Sequence, residues 1–163
     1  MNQTMGDQEF FRRLFEYDYW ANREALASME TVPASAGAGE SVQRYFNHII
    51  GAERVWLARF SDPDPGRITP WPTLTLDDCH AEVEKLHTEW LAVLDTLTPE
   101  KLASDLVYRN TKGAEFKTPI HEVLMHLVMH SAHHRGQVAK AVREAGGKPA
   151  ATDYIAFVRQ FPT

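Results

Sequence analysis

The chain has 163 residues, of which 44% are hydrophobic and 24% charged, a balance that predicts one globular domain over residues 1–163 and excludes disorder. Its formal net charge of −5, without a cluster of Lys or Arg, argues against nucleic acid or a membrane surface as a partner. Because the N-terminus is polar, no apolar run reaches membrane-spanning length and there is one cysteine, we expect a cytoplasmic protein.

The first predicted helix runs from Phe10 to about Met29, because its apolar residues recur at helical spacing. Asp18 and Asn22 lie in the middle of the same apolar stripe, one turn apart. Two interpretations are open for this pair. It is either a hydrogen-bonded pair packed in the core, which the pattern favours, or part of the wall of a polar site.

The second predicted helix runs from about Glu40 to Phe60, after a loop of small residues over 32–39. Two prolines and a glycine within residues 61–66 end it. His48 lies on the flank of its apolar face. Periodicity alone favours a histidine at the edge of the core over a metal ligand.

The third predicted helix opens with a capping box at Thr75 and Asp78 and ends near Leu97, just before Pro99. Cys79 lies in its first turn, where the helix dipole is expected to lower the pKa of the thiol. A nucleophilic role for Cys79 is still disfavoured, since no base lies beside it in the sequence.

A β-hairpin is predicted next, with strands Leu106–Arg109 and Ala114–Lys117 and a turn over residues 110–113. A hairpin of this size must pack against helices to be stable. The longest helix then begins, with Thr118 as N-cap and Pro119 as its first residue.

This longest helix is predicted to run to Ala145 and is apolar on two sides. Its reverse side carries Met125, Val128, Ala132 and Ala139. The pattern predicts either a helix buried all round or a subunit interface, so a homodimer is a hypothesis. A short amphipathic helix over residues 153–160 follows. The predicted fold is therefore all-α, with four principal helices, one hairpin and a helical tail.

Four of the eight histidines lie on the longest helix, at positions 126, 130, 133 and 134. His130 and His134 are one turn apart, about 6 Å along the axis, and lie on the stripe that faces the core, so both can reach one ion. The spacing alone is also typical of histidines that merely pack or face solvent. Metal binding gains support because buried imidazoles need partners and no acidic residue on that face can supply one.

Four segments together resemble the DinB/YfiT-like metal-dependent family, in the family's order and over nearly the whole chain. They are Tyr17-Asp-Tyr-Trp-Ala-Asn22, the segment from His48 to Trp56, the segment from His126 to Gln137, and Asp153-Tyr-Ile-Ala-Phe157. The resemblance implies a DinB-like four-helix bundle, often dimeric, in which three histidines hold one divalent metal ion.

The resemblance assigns the metal ligands residue by residue. His48 matches the ligand on the second helix, which reverses the interpretation from periodicity, and His130 and His134 match the terminal pair. His126 and His133 are rotated roughly 60° and 80° from the midline of the pair, so they are expected to be neighbours rather than ligands. Three residues become candidates for orienting the metal ligands without binding the ion themselves: Asp18, Asn22 and His126.

Three neutral imidazoles leave an ion with open coordination positions, which is typical of catalytic sites. Members of the family include transferases that use low-molecular-weight thiols, so the resemblance implies a thiol S-transferase that joins a thiol to a small electrophile. A metal-dependent hydrolase and a non-catalytic, stress-associated metal-binding protein are the alternatives. All-imidazole ligation suits zinc or nickel, while iron, copper and manganese stay open. Specificity is expected to reside in the loops around residues 30–40 and 61–75.

Overall fold

The computed structural model describes residues 6–34, 39–64, 66–110 and 112–162. Within these ranges the chain forms six helices and one two-stranded sheet. They are α1 (Asp7–Glu30), α2 (Gly39–Ser61), α3 (Leu76–Asp95), α4 (Pro99–Ala103), β1 (Asp105–Arg109), β2 (Glu115–Pro119), α5 (Ile120–Glu144) and α6 (Tyr154–Gln160). The predicted fold, a four-helix bundle with a hairpin before the last long helix and a short C-terminal helix, is confirmed.

The four long helices are not arranged in simple sequential order. The main packing partners of α1 are α3 and α5, and α2 packs against the same two helices. Therefore α1 and α2 face each other across the diagonal of the bundle. The core between the four helices is filled by large apolar side chains, among them Val42, Phe46, Ile49, Leu86, Trp90, Leu94, Leu124 and Val138. Within the described ranges, no helix is both long enough and apolar enough to cross a membrane.

Local sequence signals set most helix ends. The predicted capping box of α3 is present, because the Thr75 side chain accepts from the Asp78 amide and the Asp78 carboxylate accepts from the Thr75 amide. The short helix α4 was not predicted, although Thr98 caps it and Pro99 stands at its first turn. In the first predicted loop, residues 31–34 lie outside the α-helices, and residues 35–38 lie outside the described part of the chain.

The predicted start of the longest helix was wrong. Thr118 and Pro119 belong to β2, where they pair with Leu106 and Asp105 of β1. The helix α5 begins at Ile120, whose amide donates to the Ser104 carbonyl at 2.9 Å. This hydrogen bond to a residue outside the helix satisfies the first amide of α5, which the side chain of a threonine N-cap would otherwise satisfy.

The hairpin packs on the C-terminal half of α2. The Tyr108 ring meets the Trp56 ring edge-on at 4.8 Å, and the Arg59 guanidinium lies over both rings while donating to the Arg109 carbonyl. Part of the predicted turn, Thr111, lies outside the described residues. These contacts meet the expectation that a hairpin of this size needs helical support.

The outer side of α5 is only partly buried in the monomer. Val128 is buried, whereas Met129 is 64% exposed and Ala132 is exposed as well. The helix is therefore not buried all round. The homodimer stays a prediction.

Cys79 is a core residue, and the expected lowering of its pKa is wrong. Its Sγ donates to Asn47 Oδ1 at 3.1 Å, and the residue is fully buried. Burial, and secondarily the charges of Asp78 and Glu82, raise the pKa of the thiol to about 12. Desolvation outweighs the helix dipole here, so the thiol stays protonated and unreactive at neutral pH.

A buried polar network crosses the centre of the bundle and connects α1, α2 and α5. The Arg135 guanidinium is 1% exposed and donates to Asp18 Oδ1 at 2.6 Å and Asn22 Oδ1 at 2.8 Å. The Asn22 amide donates to Asp18 and, at 3.4 Å, to Glu53. Asp18 and Asn22 are thus a hydrogen-bonded pair in the core, as the sequence pattern favoured, and they are bound to a buried cation.

Glu53 is the second acid in this network, and it holds its proton more tightly than a free carboxyl group does. Burial, and then the nearby Asp18 carboxylate, raise its pKa well above its ordinary value, and the charge of Arg135 opposes this only in part. Arg135 is the one cation beside these two acids, and this favours a proton on Glu53 in its hydrogen bond with Asp18.

Replacing Glu53 with Gln should flatten the pH dependence of stability. Folded Glu53 holds its proton more tightly than unfolded Glu53, so the free energy of unfolding falls as pH rises above about 4.5 towards the raised pKa. The amide of Glu53→Gln carries no titrating proton and can still donate to Asp18. Urea unfolding between about pH 5 and pH 8 should show that the variant loses at least about 1 kcal/mol less than the parent.

The matched control is Glu24→Gln, at an exposed position of α1. Its side chain stays in water in both states, so the variant should keep the parental pH profile. If Glu53→Gln lost stability with rising pH as steeply as the parent protein, Glu53 would not be the protonated member of the network.

Candidate metal centre

Three histidines from two helices meet in the groove between α2 and α5. His48 comes from α2, and His130 and His134 come from α5, one turn apart. One ring nitrogen from each lies within 4.8 Å of the other two. The ring centroids are 5.0 Å apart for His48 and His130, 4.5 Å for His48 and His134, and 4.4 Å for His130 and His134. Among the described residues, no carboxylate or thiol belongs to this group.

The tautomers of two of these histidines are set by hydrogen bonds on the far side of their rings. His48 Nδ1 donates to the Pro70 carbonyl at 2.7 Å, because a carbonyl can only accept. His134 Nδ1 lies 2.6 Å from Gln137 Oε1 and likewise donates to it. Nε2 of each ring is therefore the nitrogen with a free lone pair, and this arrangement is the usual way in which proteins orient metal-binding imidazoles.

The protonation of the α5 pair favours cation binding. Burial, followed by the neighbouring imidazoles, lowers the pKa of His130 to about 4. Burial also lowers the pKa of His134, although its hydrogen bond to Gln137 opposes the shift. Both rings are therefore neutral at pH 7, and a cation does not have to displace a proton from them.

The loop before α3 covers His48 from the outside. The Trp71 indole stacks on the His48 ring, with centroids 3.8 Å apart and planes 8° from parallel, and lies edge-on to His134 at 6.4 Å. This approach requires Gly51 on α2. A Cβ at that position would lie 2.5 Å from the Pro70 carbonyl oxygen and 2.6 Å from Pro72 Cδ. Gly51 therefore allows the loop to reach the histidine, although glycine costs helix stability.

The other candidate residues lie outside the group of three. The ring of His126 packs against His130 at 5.6 Å and against Trp56, and His133 packs edge-on to His134 at 5.1 Å. Asp18 and Asn22 direct their hydrogen bonds to Arg135, Glu53 and each other. The supporting roles of Asp18, Asn22 and His126 stay predictions. The groups that do hold the histidines are Pro70, Gln137 and Trp71.

Of these three groups, one was visible in the sequence. Gln137 stands three residues after His134 on the same helix, so helical spacing places its amide beside the ring. Pro70 and Trp71 lie in a loop, and their contact with α2 depends on a backbone path that periodicity does not describe.

The three histidines fit a divalent ion. Tetrahedral coordination at about 2.1 Å places ligand nitrogens about 3.4 Å apart, and small rotations of these rings bring nitrogens that lie within 4.8 Å to that spacing. The donor set is all-imidazole, and it comes from two helices, α2 and α5, that pack against each other. A fourth position is left for a small molecule.

A cavity of about 860 Å³ lies elsewhere, between α1, α3 and α6. None of the three histidines lines it. Its two arginines already have partners, since Arg13 donates to the Phe161 carbonyl and Arg23 lies beside Glu84. Size alone therefore does not make it the functional site.

Substituting Gly51 with Ala should lower metal affinity without touching a ligand. The added methyl pushes the Pro70 carbonyl away from His48 and releases the ring, a kind of loss that costs about tenfold to a hundredfold in affinity. Competition with a chromophoric chelator measures the change, and circular dichroism checks that the helices are intact.

The control is Gly136→Ala on α5, where a Cβ meets nothing within 4 Å. It lies two residues from His134, yet it should leave metal affinity unchanged and gain up to about 1 kcal/mol from helix propensity. Equal affinities of the Gly51→Ala and parent proteins would show that the loop does not position His48.

Comparison with known proteins agrees with the resemblance in the sequence motifs. The family model described as "DinB family" matches residues 1–161. A curated relative, "Protein DinB" of Bacillus subtilis (strain 168), is 25% identical over 158 residues, which cover 90% of this chain and 92% of that protein. The match includes all four bundle helices and the three clustered histidines. The chain therefore belongs to the DinB family.

Proposed function

We propose that His48, His130 and His134 bind one divalent metal ion, and that the protein is a metal-dependent transferase which activates a low-molecular-weight thiol. The observation that carries the proposal is the convergence of three imidazoles on one point, with no further His, Cys, Asp or Glu of the described chain in the group. Zinc or nickel is the preferred ion, and iron, copper and manganese are the alternatives, since affinity for nitrogen donors does not by itself choose the metal in a cell.

A divalent ion held by these three imidazoles would keep its full positive charge and would favour the thiolate form of a thiol at neutral pH. In the proposed reaction the thiol proton passes to solvent, the sulfur forms a bond to an electrophilic carbon, and the leaving group departs with the bonding electrons. Pro70 and Gln137 fix two ligand rings, while Trp71 walls off one side of the centre.

Two observations favour a thiol transferase over the alternatives. Hydrolysis at the same centre would need a general base, and the buried acids Asp18 and Glu53 are engaged with Arg135 and Asn22. A purely metal-storing protein needs no cavity near its ion, whereas a cavity of about 410 Å³ is lined by Trp71, the side chain that stacks on His48, although none of the three histidines lines it directly. We further propose a single domain, a cytoplasmic location and a homodimer, in line with the sequence analysis.

Replacing His130 with Ala should reduce metal affinity at least tenfold, because one of only three protein ligands is lost. Elemental analysis of protein purified without a metal-affinity tag measures the metal content directly. His133→Ala is the matched control, since that histidine is exposed and lies outside the group. Equal metal content in His130→Ala and the parent protein would contradict the proposal that His130 binds the metal ion.

The reaction itself can be tested with simple reagents. The metal-loaded protein should accelerate the consumption of 2-mercaptoethanol by a chloronitrobenzene electrophile, and the metal-free protein and His134→Ala should not. Free thiol is followed by absorbance after reaction with a disulfide reagent. Transferase chemistry is refuted if the fully metal-loaded protein consumes no more thiol than buffer does.

A further inference from the structure

We propose that Arg44 and Trp71 form an anion-binding subsite beside the metal centre, so that the small molecule held there carries a carboxylate. The proposal rests on the proposed function and names the chemical class of its thiol. Arg44 and Trp71 would be specificity-determining residues.

The subsite is a cavity of about 410 Å³ between α2 and the loop before α3. Its walls are Gln43, Arg44 and Asn47 from α2, and residues 71–74 from the loop. Asn47 is already occupied, because its amide donates to the Leu74 carbonyl and its oxygen accepts from Cys79. The lining therefore combines an aromatic wall with one positive charge.

Arg44 has no ion-pair partner among the carboxylates that the structure describes. Its guanidinium lies over the Trp71 ring, 5.2 Å from the centroid. Other arginines on the described surface, such as Arg12 and Arg54, are each paired with an acid. A guanidinium prefers a planar anion that it can bind with two parallel hydrogen bonds.

Trp71 connects this cavity to the metal centre. One face of the indole covers the His48 ring, and the same side chain lines the cavity. Arg44 stands one turn before His48 on α2, about 6 Å along the axis. A small molecule bound through sulfur at the three histidines can therefore extend past the edge of Trp71 and place its other end on Arg44.

The single charge favours a carboxylate over a phosphate. Arg44 is the only cationic side chain among the described residues that line the cavity. A carboxylate carries one negative charge and matches one guanidinium, whereas a phosphate group at neutral pH carries up to two and calls for further cations.

The test uses the cobalt-loaded protein and measures equilibrium binding by the sulfur-to-cobalt charge-transfer band. The probes are ω-mercaptocarboxylates from 3-mercaptopropionate to 6-mercaptohexanoate, each paired with the mercaptoalcohol of the same length. We expect at least one carboxylate to bind about tenfold or more tightly than its alcohol, because a charge-assisted hydrogen bond is added. Arg44→Met should abolish the difference and leave alcohol binding unchanged.

The control variant is Arg67→Met, at an exposed position in the same loop that does not line the cavity. It removes the same charge from the protein, so it separates a specific contact from long-range attraction. Equal affinities for each carboxylate and its alcohol in the unaltered protein would overturn the subsite, as would an equal effect of Arg67→Met.

Failure of the proposed function gives a different result. In that case neither the carboxylates nor the alcohols produce a charge-transfer band, although the cobalt is bound. The anion-binding subsite is then rejected together with the thiol chemistry on which it rests. Charge-transfer bands of equal strength for the carboxylates and the alcohols would, in contrast, support thiol binding and contradict only the role of Arg44.

Discussion

The buried ion pair between Arg135 and Asp18 is the interaction on which the rest of the structure depends. A guanidinium that is 1% exposed is tolerable only while its anion is in place, and removing one partner of such a pair costs about 3–5 kcal/mol. Arg135 follows His134 directly on α5. Because the pair ties Arg135 to α1, it fixes the rotation of α5 about its own axis, and the adjacent His130 and His134 are thereby directed towards α2.

The histidine cluster is supported from two sides by different means. On the inside, the polar network of Asp18, Asn22 and Glu53 fixes helix orientation without contributing a ligand. On the outside, the loop reaches over Gly51, and its Pro70 carbonyl and Trp71 ring fix the plane of His48. The cluster itself needs little from the chain beyond geometry, since its imidazoles already converge on one point. The buried polar network therefore sets the orientation of the helices, whereas the packing of the loop sets the orientation of the His48 ring.

The long helices were predictable because each buries a continuous apolar face, and periodicity reads that face directly. Spacing singled out His130 and His134, and the family resemblance added His48, for which periodicity alone favoured the edge of the core. The structure brings the three rings together in one group. The start of α5 was missed because strand pairing with Leu106 overrode the local signal of Thr118 and Pro119. Pro70 and Trp71 were missed because their role depends on how a loop crosses α2. Glu53 was missed since its importance comes from Asp18 and Arg135, which are remote in sequence.

The three histidines come from opposite halves of the chain, on two helices joined only through α3, α4 and the hairpin. An ion bound there would act as a cross-link that exists only in the folded state. Folding would then be linked to metal concentration by mass action, and a free concentration a hundredfold above the dissociation constant adds about 2.7 kcal/mol. The docking of α2 on α5, and with it the closure of the bundle, would thereby report the supply of metal in the surroundings.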